Sequence, residues 1–268
     1  MEVNVQGRQA YAYTGGKPFD PNLPCVVFLH GALNDHSVWT LLARWFAHHG
    51  HSVLAPDLPG HCRSEGPLLD SVEAMADWTL ALLDAAGARR EDTLVAGHSM
   101  GSLIALETAA RSPGRIARLV MIATAYPMQV SDALLAAARD TPAKGMAMIN
   151  GFALSSLAAK PSHPGPGSWL HGAGLALMAR VQASQPEANV FLHDFQCCNA
   201  YRRGLEAAAD VRCPVDFILG DADQMTPPKA TRELAAALKA RVHRLPGGHS
   251  LMQEQPDKVL QALRGAID

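Results

Sequence analysis

The chain has 268 residues, of which 48% are hydrophobic and 18% charged, and its formal net charge is −2. This composition is that of an ordinary globular protein and excludes a disordered chain, and the near-neutral charge gives no reason to expect a nucleic acid or an anionic membrane as partner. The length suits one large domain with residues left over for an insertion better than two independent domains.

Apolar runs that are typical of buried strands alternate with helical patterns along the chain. After a short hairpin in residues 1–14, strands are predicted at CVVFLH, SVLAPD, TLVAGH, IARLVMIATA, VDFILG and VHRL. Helices are predicted at residues 37–49, 69–86, 99–112 and 227–239, and from residue 256 onward. This alternation indicates a mainly parallel sheet with right-handed crossovers, in which ligands bind at the carboxyl ends of the strands.

Residues 127–209 interrupt this alternation. They are rich in Ala, Met, Gly and Pro, and they contain helical patterns at SDALLAAAR, GLALMARVQAS and PEANVFLHDFQ but no convincing strand. The stretch KPSHPGPG at 160–167 is typical of a loop or hinge between helices. We therefore predict a helical cap at 127–209, inserted into a core domain that is made of residues 1–126 and 210–268.

Targeting and redox features are inconspicuous. The N-terminal segment lacks the basic and apolar regions of a secretory signal, and no apolar stretch is long enough to span a bilayer. The five cysteines are scattered and lack the spacing of a metal site. A cytoplasmic protein with reduced thiols and no bound metal is therefore expected.

One strand-to-helix junction, LVAGHSMGSLIAL at 94–106, contains a lone hydroxyl, that of Ser99, with a glycine two residues away on either side. A strand that turns directly into a helix forces the residue at the turn toward positive φ. Its neighbours two positions away then lie so close together that a Cβ would collide, which Gly97 and Gly101 avoid. The Ser99 hydroxyl would stand above the sheet at a helix N-terminus, where unpaired amides lie. The pattern is that of a nucleophile elbow.

Four parts of the sequence together resemble the α/β-hydrolase superfamily over nearly the whole chain: FLHGALNDHSVW, PDLPGHCRS, GHSMG, and the pair ILGDADQMTPP and GGHSLMQEQP. They are similar to the capped serine hydrolases, a group of carboxylesterases, lactonases and carbon–carbon bond hydrolases. The resemblance implies an α/β-hydrolase fold, with a mostly parallel eight-stranded sheet flanked by helices, an inserted helical cap and no cofactor. Cys62 departs from the family pattern, which usually has glycine at this position.

A serine hydroxyl needs a base within hydrogen-bond reach and a third group that fixes the tautomer of the base. In this fold the order along the chain is serine, acid, histidine. The predicted base is His249, in a Gly-Gly-His loop after the last strand. The acid is Asp223 or Asp221, since both follow VDFILG, and the superfamily pattern, with the acid three residues after the strand-ending glycine, favours Asp223.

Acyl transfer also requires amide donors at the position where the carbonyl oxygen becomes an anion. We predict one donor at the backbone N–H of Met100, at the start of the helix. The second is predicted at Ala32, because Gly31 allows its loop to turn back over the sheet. The N–H of Leu33 is the alternative.

The substrate pocket is predicted to have an adaptable apolar lining, although each of these side chains could instead pack in the core. The candidates are Leu33, Trp39, Met128, Met146, Met148, Leu154, Leu157, Trp169, Met178 and Phe195.

The leading functional hypothesis is a serine hydrolase that cleaves a carboxylic ester or thioester of a small to medium apolar substrate through an acyl-enzyme at Ser99. One alternative is a carbon–carbon bond hydrolase of ring-cleavage products, which uses the same triad and would be favoured by an arginine pointing into the pocket. The other is a non-catalytic small-molecule receptor. The expected partner is a small molecule, with neither nucleic acid nor membrane involved, and monomer and homodimer remain open.

Overall fold

The computed structural model describes residues 1–88, 92–155 and 169–267. The strands found there are β1 (Glu2–Val5), β2 (Arg8–Tyr13), β3 (Cys25–Leu29), β4 (Ser52–Pro56), β5 (Thr93–His98), β6 (Ile116–Ile122), β7 (Val215–Gly220) and β8 (Arg241–Leu245). They form one eight-stranded sheet in the order β1-β2-β4-β3-β5-β6-β7-β8. β2 pairs antiparallel with β1 and β4, and the other pairs are parallel. The predicted mostly parallel eight-stranded sheet is confirmed.

The central strands are continuous apolar runs because helices cover both faces of the sheet. Every residue of β3, β4, β5 and β7 is buried, as expected for parallel strands between two helical layers. The edge strand β8 is buried only at Leu245 and half-buried at His243, and it exposes its other side chains. The buried centre of the sheet therefore forms a rigid platform for the loops at its carboxyl ends.

The helices of the two outer layers come from the parts of the chain on either side of the segment between β6 and β7. They are α1 (Thr40–Ala47), α2 (Val72–Ala85), α3 (Met100–Arg111), α9 (Arg232–Ala237), α10 (Leu251–Glu254) and α11 (Pro256–Ile267). α2, α3 and α9 bury side chains such as Leu82, Leu103 and Leu234 in one apolar cluster. α1 and α11 bury Phe46 and Leu263 in the cluster on the opposite face.

Between β6 and β7 the chain forms α4 (Asp132–Asp140), α5 (Pro142–Ala153), α6 (Leu170–Ala183), α7 (Val190–Ala200) and α8 (Gly204–Asp210). We call α4 to α7 the helical insertion; its described residues contain no strand, and its helices share an apolar cluster that also includes Leu33 of the core. The sequence patterns did not predict α5. α8 packs Ala207 and Ala208 into the core cluster of the sheet. The predicted loop at 160–167 and Leu157 lie outside the described residues, and the division into core and cap at 127 and 209 stays a prediction.

Some elements end earlier than their apolar patterns. The strand predicted at IARLVMIATA ends at Ile122, because Ala123 has a φ of +47° and turns the chain away from the sheet. The helices predicted at 37–49 and 227–239 each begin with a 3-10 turn, at His36–Trp39 and Pro228–Thr231.

In the three described ranges, no helix combines the length and the apolar character that a membrane crossing requires.

Candidate active site

Ser99 occupies the turn between β5 and α3 with a φ of +53° and a ψ of −120°. The positive φ expected of the elbow is thus observed at a residue that is not glycine, a strained conformation that the surrounding structure must hold. A Cβ on Gly97 would overlap the carbonyl oxygen of Gly101, and a Cβ on Gly101 would overlap that of Leu29. The two glycines therefore let strand, turn and helix approach closely enough to present the serine.

We expect Gly97→Ala to lower the free energy of unfolding by about 3 kcal/mol, since the added methyl group has no space and the elbow must distort. Gly114→Ala is the matched control, because a Cβ there has no heavy atom within 4 Å. It should change stability by less than about 0.5 kcal/mol. Urea unfolding followed by circular dichroism measures both values. Equal stability of the two variants would contradict the close approach at the elbow.

His249 and Asp223 form a buried pair beside the elbow. The imidazole Nδ1 lies 2.9 Å from Asp223 Oδ2, and the two residues are 5% and 4% exposed. Burial by itself would raise the pKa of the Asp223 carboxyl. The neighbouring His249 and the hydrogen bonds from Thr226 lower this pKa by more than burial raises it, so it lies below the usual range. The carboxylate is therefore ionised at neutral pH and can hold a proton on Nδ1, which leaves Nε2 as the basic nitrogen.

The two aspartates that the sequence offered as the acid lie in different surroundings. Asp223 accepts hydrogen bonds from the backbone N–H groups of Met225 and Thr226, at 2.8 Å each. Asp221 has a half-exposed side chain and forms an ion pair with Arg244 at 2.6 Å. The geometry therefore gives Asp223, and not Asp221, the contact with the histidine.

Thr226 belongs to this group although sequence reasoning missed it. Its hydroxyl donates to Asp223 Oδ2 at 2.7 Å and lies 3.0 Å from His249 Nδ1. A hydroxyl residue three positions after the acid, as in DADQMT, was the signal that could have indicated it, because Asp and Thr side chains commonly bond across such short turns.

Ser99 and His249 face the same space. Both line a cavity of about 270 Å³ and a second one of about 60 Å³. No hydrogen bond joins the Ser99 hydroxyl to the ring within the described part of the chain. Such contacts are often long in free enzymes and tighten when substrate binds.

The amide groups predicted as oxyanion donors are available. Within the ranges that the structure describes, the backbone N–H groups of Ala32 and Met100 have no hydrogen-bond partner. A Cβ on Gly31 would lie 3.1 Å from the Ser99 Cβ, so the loop after β3 passes close to the serine. The alternative donor is already engaged, because the Leu33 N–H donates to Asp194 Oδ2 at 2.8 Å. The geometry therefore favours Ala32 over Leu33.

His98 precedes the serine but is placed to support the site. Its Nε2 donates to the backbone carbonyl oxygen of His249 at 2.9 Å. Burial and the neighbouring His249 lower its pKa to about 3, so the ring is neutral. It therefore holds the histidine loop and does not act as a base. The loop is also held by the Ala153 carbonyl of α5, which accepts from the N–H groups of His249 and Ser250.

The larger cavity lies mainly between the carboxyl end of the sheet and the helical insertion. Its walls carry the apolar side chains of Ala32, Met128, Val130, Leu134, Met148, Ile149, Phe152, Phe195 and Met225. The smaller cavity is more polar, with Asn34, Asn150, Ser250 and Gln253 beside Met178. Among the described residues, neither is lined by lysine, arginine, aspartate or glutamate.

A family model described as "Alpha/beta hydrolase family" matches residues 26–262. The chain belongs to the alpha/beta hydrolase family. The predictions of an α/β-hydrolase fold and of a hydrolase are thereby confirmed.

This alpha/beta hydrolase is similar to several known proteins. It is 31% identical over 253 residues to the pimeloyl-[acyl-carrier protein] methyl ester esterase of Aromatoleum aromaticum, a match that covers 88% of this chain and 95% of that protein. Its fold matches the crystal structure of the enol-lactonase from Burkholderia xenovorans LB400 with a TM-score of 0.82 and 21% identity, covering 100% of this chain and 99% of that one. It also matches an esterase from Exiguobacterium antarcticum with a TM-score of 0.80 and 14% identity, covering 100% and 98% of the two chains.

Only some of the side chains predicted to line the substrate pocket of this alpha/beta hydrolase lie on the walls of the two cavities. Met128 lines the larger cavity, as do Met148 and Phe195, while Met178 lines the smaller one. Trp39 is fully buried and stacks on Phe28 of β3, with ring centroids 4.8 Å apart, in the core cluster that also contains Phe46.

The remaining pocket candidates lie elsewhere because they pack against other partners or face solvent. Leu33 and Met146 are buried within the cluster of the helical insertion. Trp169 is 53% exposed and stacks on His171. Leu154 is 2% exposed and belongs to neither cavity wall.

One group of side chains in this hydrolase is close enough to hold a cation. Ligand atoms of Asp35, His36 and Asp57 lie within 4.8 Å of one another. Each is already engaged, however, since His36 Nδ1 lies 2.7 Å from Asp57 Oδ1 and the Arg180 guanidinium contacts Asp35 Oδ2 at 2.6 Å. The Arg180 guanidinium and the existing hydrogen bonds of both carboxylates indicate an ion-pair network and not a metal site.

Proposed function

We propose that this alpha/beta hydrolase is a serine esterase that cleaves carboxylic esters with an apolar acyl chain of small to medium length. The observation that carries the proposal is the cavity that Ser99, at its strained turn, shares with His249, whose ring contacts Asp223. The proposed catalytic residues are Ser99 as nucleophile, His249 as base and Asp223 as the acid that orients the base.

In acylation, Ser99 Oγ attacks the carbonyl carbon of the ester while His249 Nε2 takes its proton. The resulting oxyanion accepts hydrogen bonds from the N–H groups of Ala32 and Met100, which have no other partner in the described ranges. The bond to the alcohol oxygen then breaks, and His249 returns the proton to the leaving group. Water attacks the acyl-enzyme in the same way, which releases the carboxylic acid and restores Ser99.

Asp223 stabilises the imidazolium that forms in both steps. Its second oxygen accepts two backbone N–H groups, so the carboxylate is held in one orientation. The Thr226 hydroxyl contacts both members of the pair and is proposed to keep the ring in the plane of the carboxylate.

The apolar walls of the larger cavity support an acyl chain as its occupant, because apolar surface gains free energy when it leaves water. The relatives agree, since one is named as a methyl ester esterase and the structural neighbours include an enol-lactonase and an esterase. A carbon–carbon bond hydrolase of anionic ring-cleavage products is not favoured, because no cation lines the cavity among the residues described. A non-catalytic receptor would have no need for unpaired amides beside a serine that shares a cavity with a buried His–Asp pair.

The proposal is tested by a series of p-nitrophenyl esters with acyl chains of increasing length, together with methyl esters, a lactone, a thioester and a ring-cleavage dienone. We expect kcat/KM for the esters to rise by up to about fourfold per methylene, which corresponds to about 0.8 kcal/mol. The rise should end when the cavity of about 270 Å³ is filled. A preference for the dienone, or no turnover of any ester, would contradict the proposal.

A pair of variants links chain length to the cavity. Leu134→Trp narrows the cavity, since Leu134 is part of its wall, and should move the optimum to shorter chains. Leu205→Trp, at a residue 36% exposed that is not part of the wall, should leave the optimum unchanged.

A further inference from the structure

A fully buried carboxylate, Asp194 on α7, takes no part in the mechanism proposed above. Its Oδ2 accepts the Leu33 N–H at 2.8 Å and lies 3.0 Å from His61 Nε2. Its Oδ1 lies 3.3 Å from His193 Nδ1. A buried charge without partners is strongly destabilising, so these contacts are what allow the carboxylate to lie in the interior.

The two histidines keep the carboxylate charged. Burial opposes ionisation of Asp194, but His61, His193 and the Leu33 N–H together hold its pKa below the usual range. Burial also opposes protonation of His193, but its contacts with Asp194 and Cys197 raise its pKa to about 9. The Asp194 carboxylate is thus a permanent acceptor for the Leu33 N–H at neutral pH.

The segment that Asp194 holds is the one that carries a proposed oxyanion donor. We call residues 31–35, which follow β3, the oxyanion loop. Leu33 has a φ of +55°. Such a conformation is strained for a residue other than glycine and persists only where neighbours enforce it. The Leu33 nitrogen belongs to the peptide unit that follows Ala32, so holding that unit restricts the orientation of the Ala32 N–H.

A second contact from the helical insertion reaches the same loop. Arg180 on α6 contacts Asp35 Oδ2 through two nitrogens, at 2.6 and 3.1 Å. Asp35 Oδ1 in turn accepts the Ser37 N–H at 2.9 Å. Two helices of the insertion thus hold the oxyanion loop at residues 33 and 35. The residue after Asp194, Phe195, lines the larger cavity.

We propose that Asp194 is a positioning residue that holds the oxyanion loop from the helical insertion through its hydrogen bond with the Leu33 N–H. The inference rests on the proposed function, since it concerns the donor at Ala32. The insertion then does more than line the acyl cavity, because the helix that contacts the acyl chain also keeps the amide of Ala32 aimed at the reacting oxygen.

Three substitutions at Asp194 separate position from charge. Asp194→Ala removes the acceptor, and kcat for the best ester should fall at least about tenfold, toward the roughly 10²-fold cost of a 1 Å misplacement. KM should change less than about threefold, because the loop acts on the transition state. Asp194→Asn keeps one oxygen for Leu33 and His61 and should stay within about threefold of the unaltered protein in kcat. Asp194→Glu keeps the charge but displaces the acceptor, and should lose kcat as Asp194→Ala does.

The matched control is Asp216→Asn in β7. Asp216 is also buried, and it contacts His243 Nε2 at 2.6 Å and Arg241 at 2.5 Å near the amino end of the strand, away from the site. This variant should lose stability without losing kcat. Binding of a trifluoromethyl ketone, whose adduct with Ser99 places an oxyanion between the same donors, should weaken in proportion to kcat/KM for Asp194→Ala and stay unchanged for Asp216→Asn.

Several results would overturn the inference. They are unchanged kcat in folded Asp194→Ala or Asp194→Glu, equal losses in Asp194→Asn and Asp194→Ala, or an equal loss of kcat in Asp216→Asn. If the alanine and glutamate variants do not fold, hydrogen exchange of the Leu33 amide in the unaltered protein decides, because an amide bound to Asp194 must be protected and rapid exchange would overturn the proposal. A failure of the proposed function would be distinct, because the unaltered protein would then not cleave esters through Ser99.

Discussion

Ser99→Ala is expected to reduce kcat for the best p-nitrophenyl ester by at least about 10⁴-fold, with KM changed little. The reason is that removal of the nucleophile leaves only the oxyanion donors and substrate binding, which together support a small fraction of the full rate. The expectation depends on the placement of the hydroxyl at a turn with a φ of +53°, beside a cavity wall that also contains His249. Steady-state kinetics on the purified variant measure the loss.

Covalent labelling by a fluorophosphonate gives a second measurement of the same residue. The unaltered protein should incorporate one label, and Ser99→Ala none. Ser112→Ala, at the opposite end of α3, is the matched control and should react and turn over like the unaltered protein. Continued labelling of Ser99→Ala would place the nucleophile on another residue and remove the basis of the proposed function.

Asp223→Asn is expected to lower kcat by about 10⁴-fold, the effect of an amide that cannot hold the proton on Nδ1 and so favours the wrong tautomer of the histidine. Asp221→Asn should stay within about twofold of the unaltered protein. The two residues are two positions apart, but only Asp223 lies against His249, whereas Asp221 contacts Arg244 near the surface. The pair therefore compares the same chemical change at two neighbouring carboxylates.

Both aspartate variants need a check of folding, because Asp223 also accepts the backbone N–H groups of Met225 and Thr226. Circular dichroism and thermal unfolding provide it, and an asparagine oxygen can keep these two bonds. The reverse ranking, with Asp221→Asn the more impaired, would move the role of the acid to Asp221 and would require a different arrangement of the loop after β7.

The sequence by itself predicted the features that depend on residues close together in the chain, namely the turn at Ser99 and the buried central strands. The Gly-x-Ser-x-Gly spacing predicts both a close approach and a positive φ, because only a few bonds separate the strand from the helix at Ser99. The choice of Asp223 over Asp221 came from the resemblance to the superfamily, whose pattern has the acid three residues after the glycine that ends VDFILG. Continuous apolar runs predicted the buried central strands, because a strand whose two faces are both covered by helices has apolar side chains on both faces.

Tertiary structure alone decided which apolar side chains meet the cavity. An apolar side chain such as that of Trp39 or Met146 is expected to be buried. The sequence pattern does not show which neighbours it packs against, and in the structure both side chains pack away from Ser99. The contact between Asp194 and Leu33 joins residues 161 positions apart. No local spacing encodes such a contact, because it exists only once the helices between β6 and β7 have folded over the carboxyl end of the sheet.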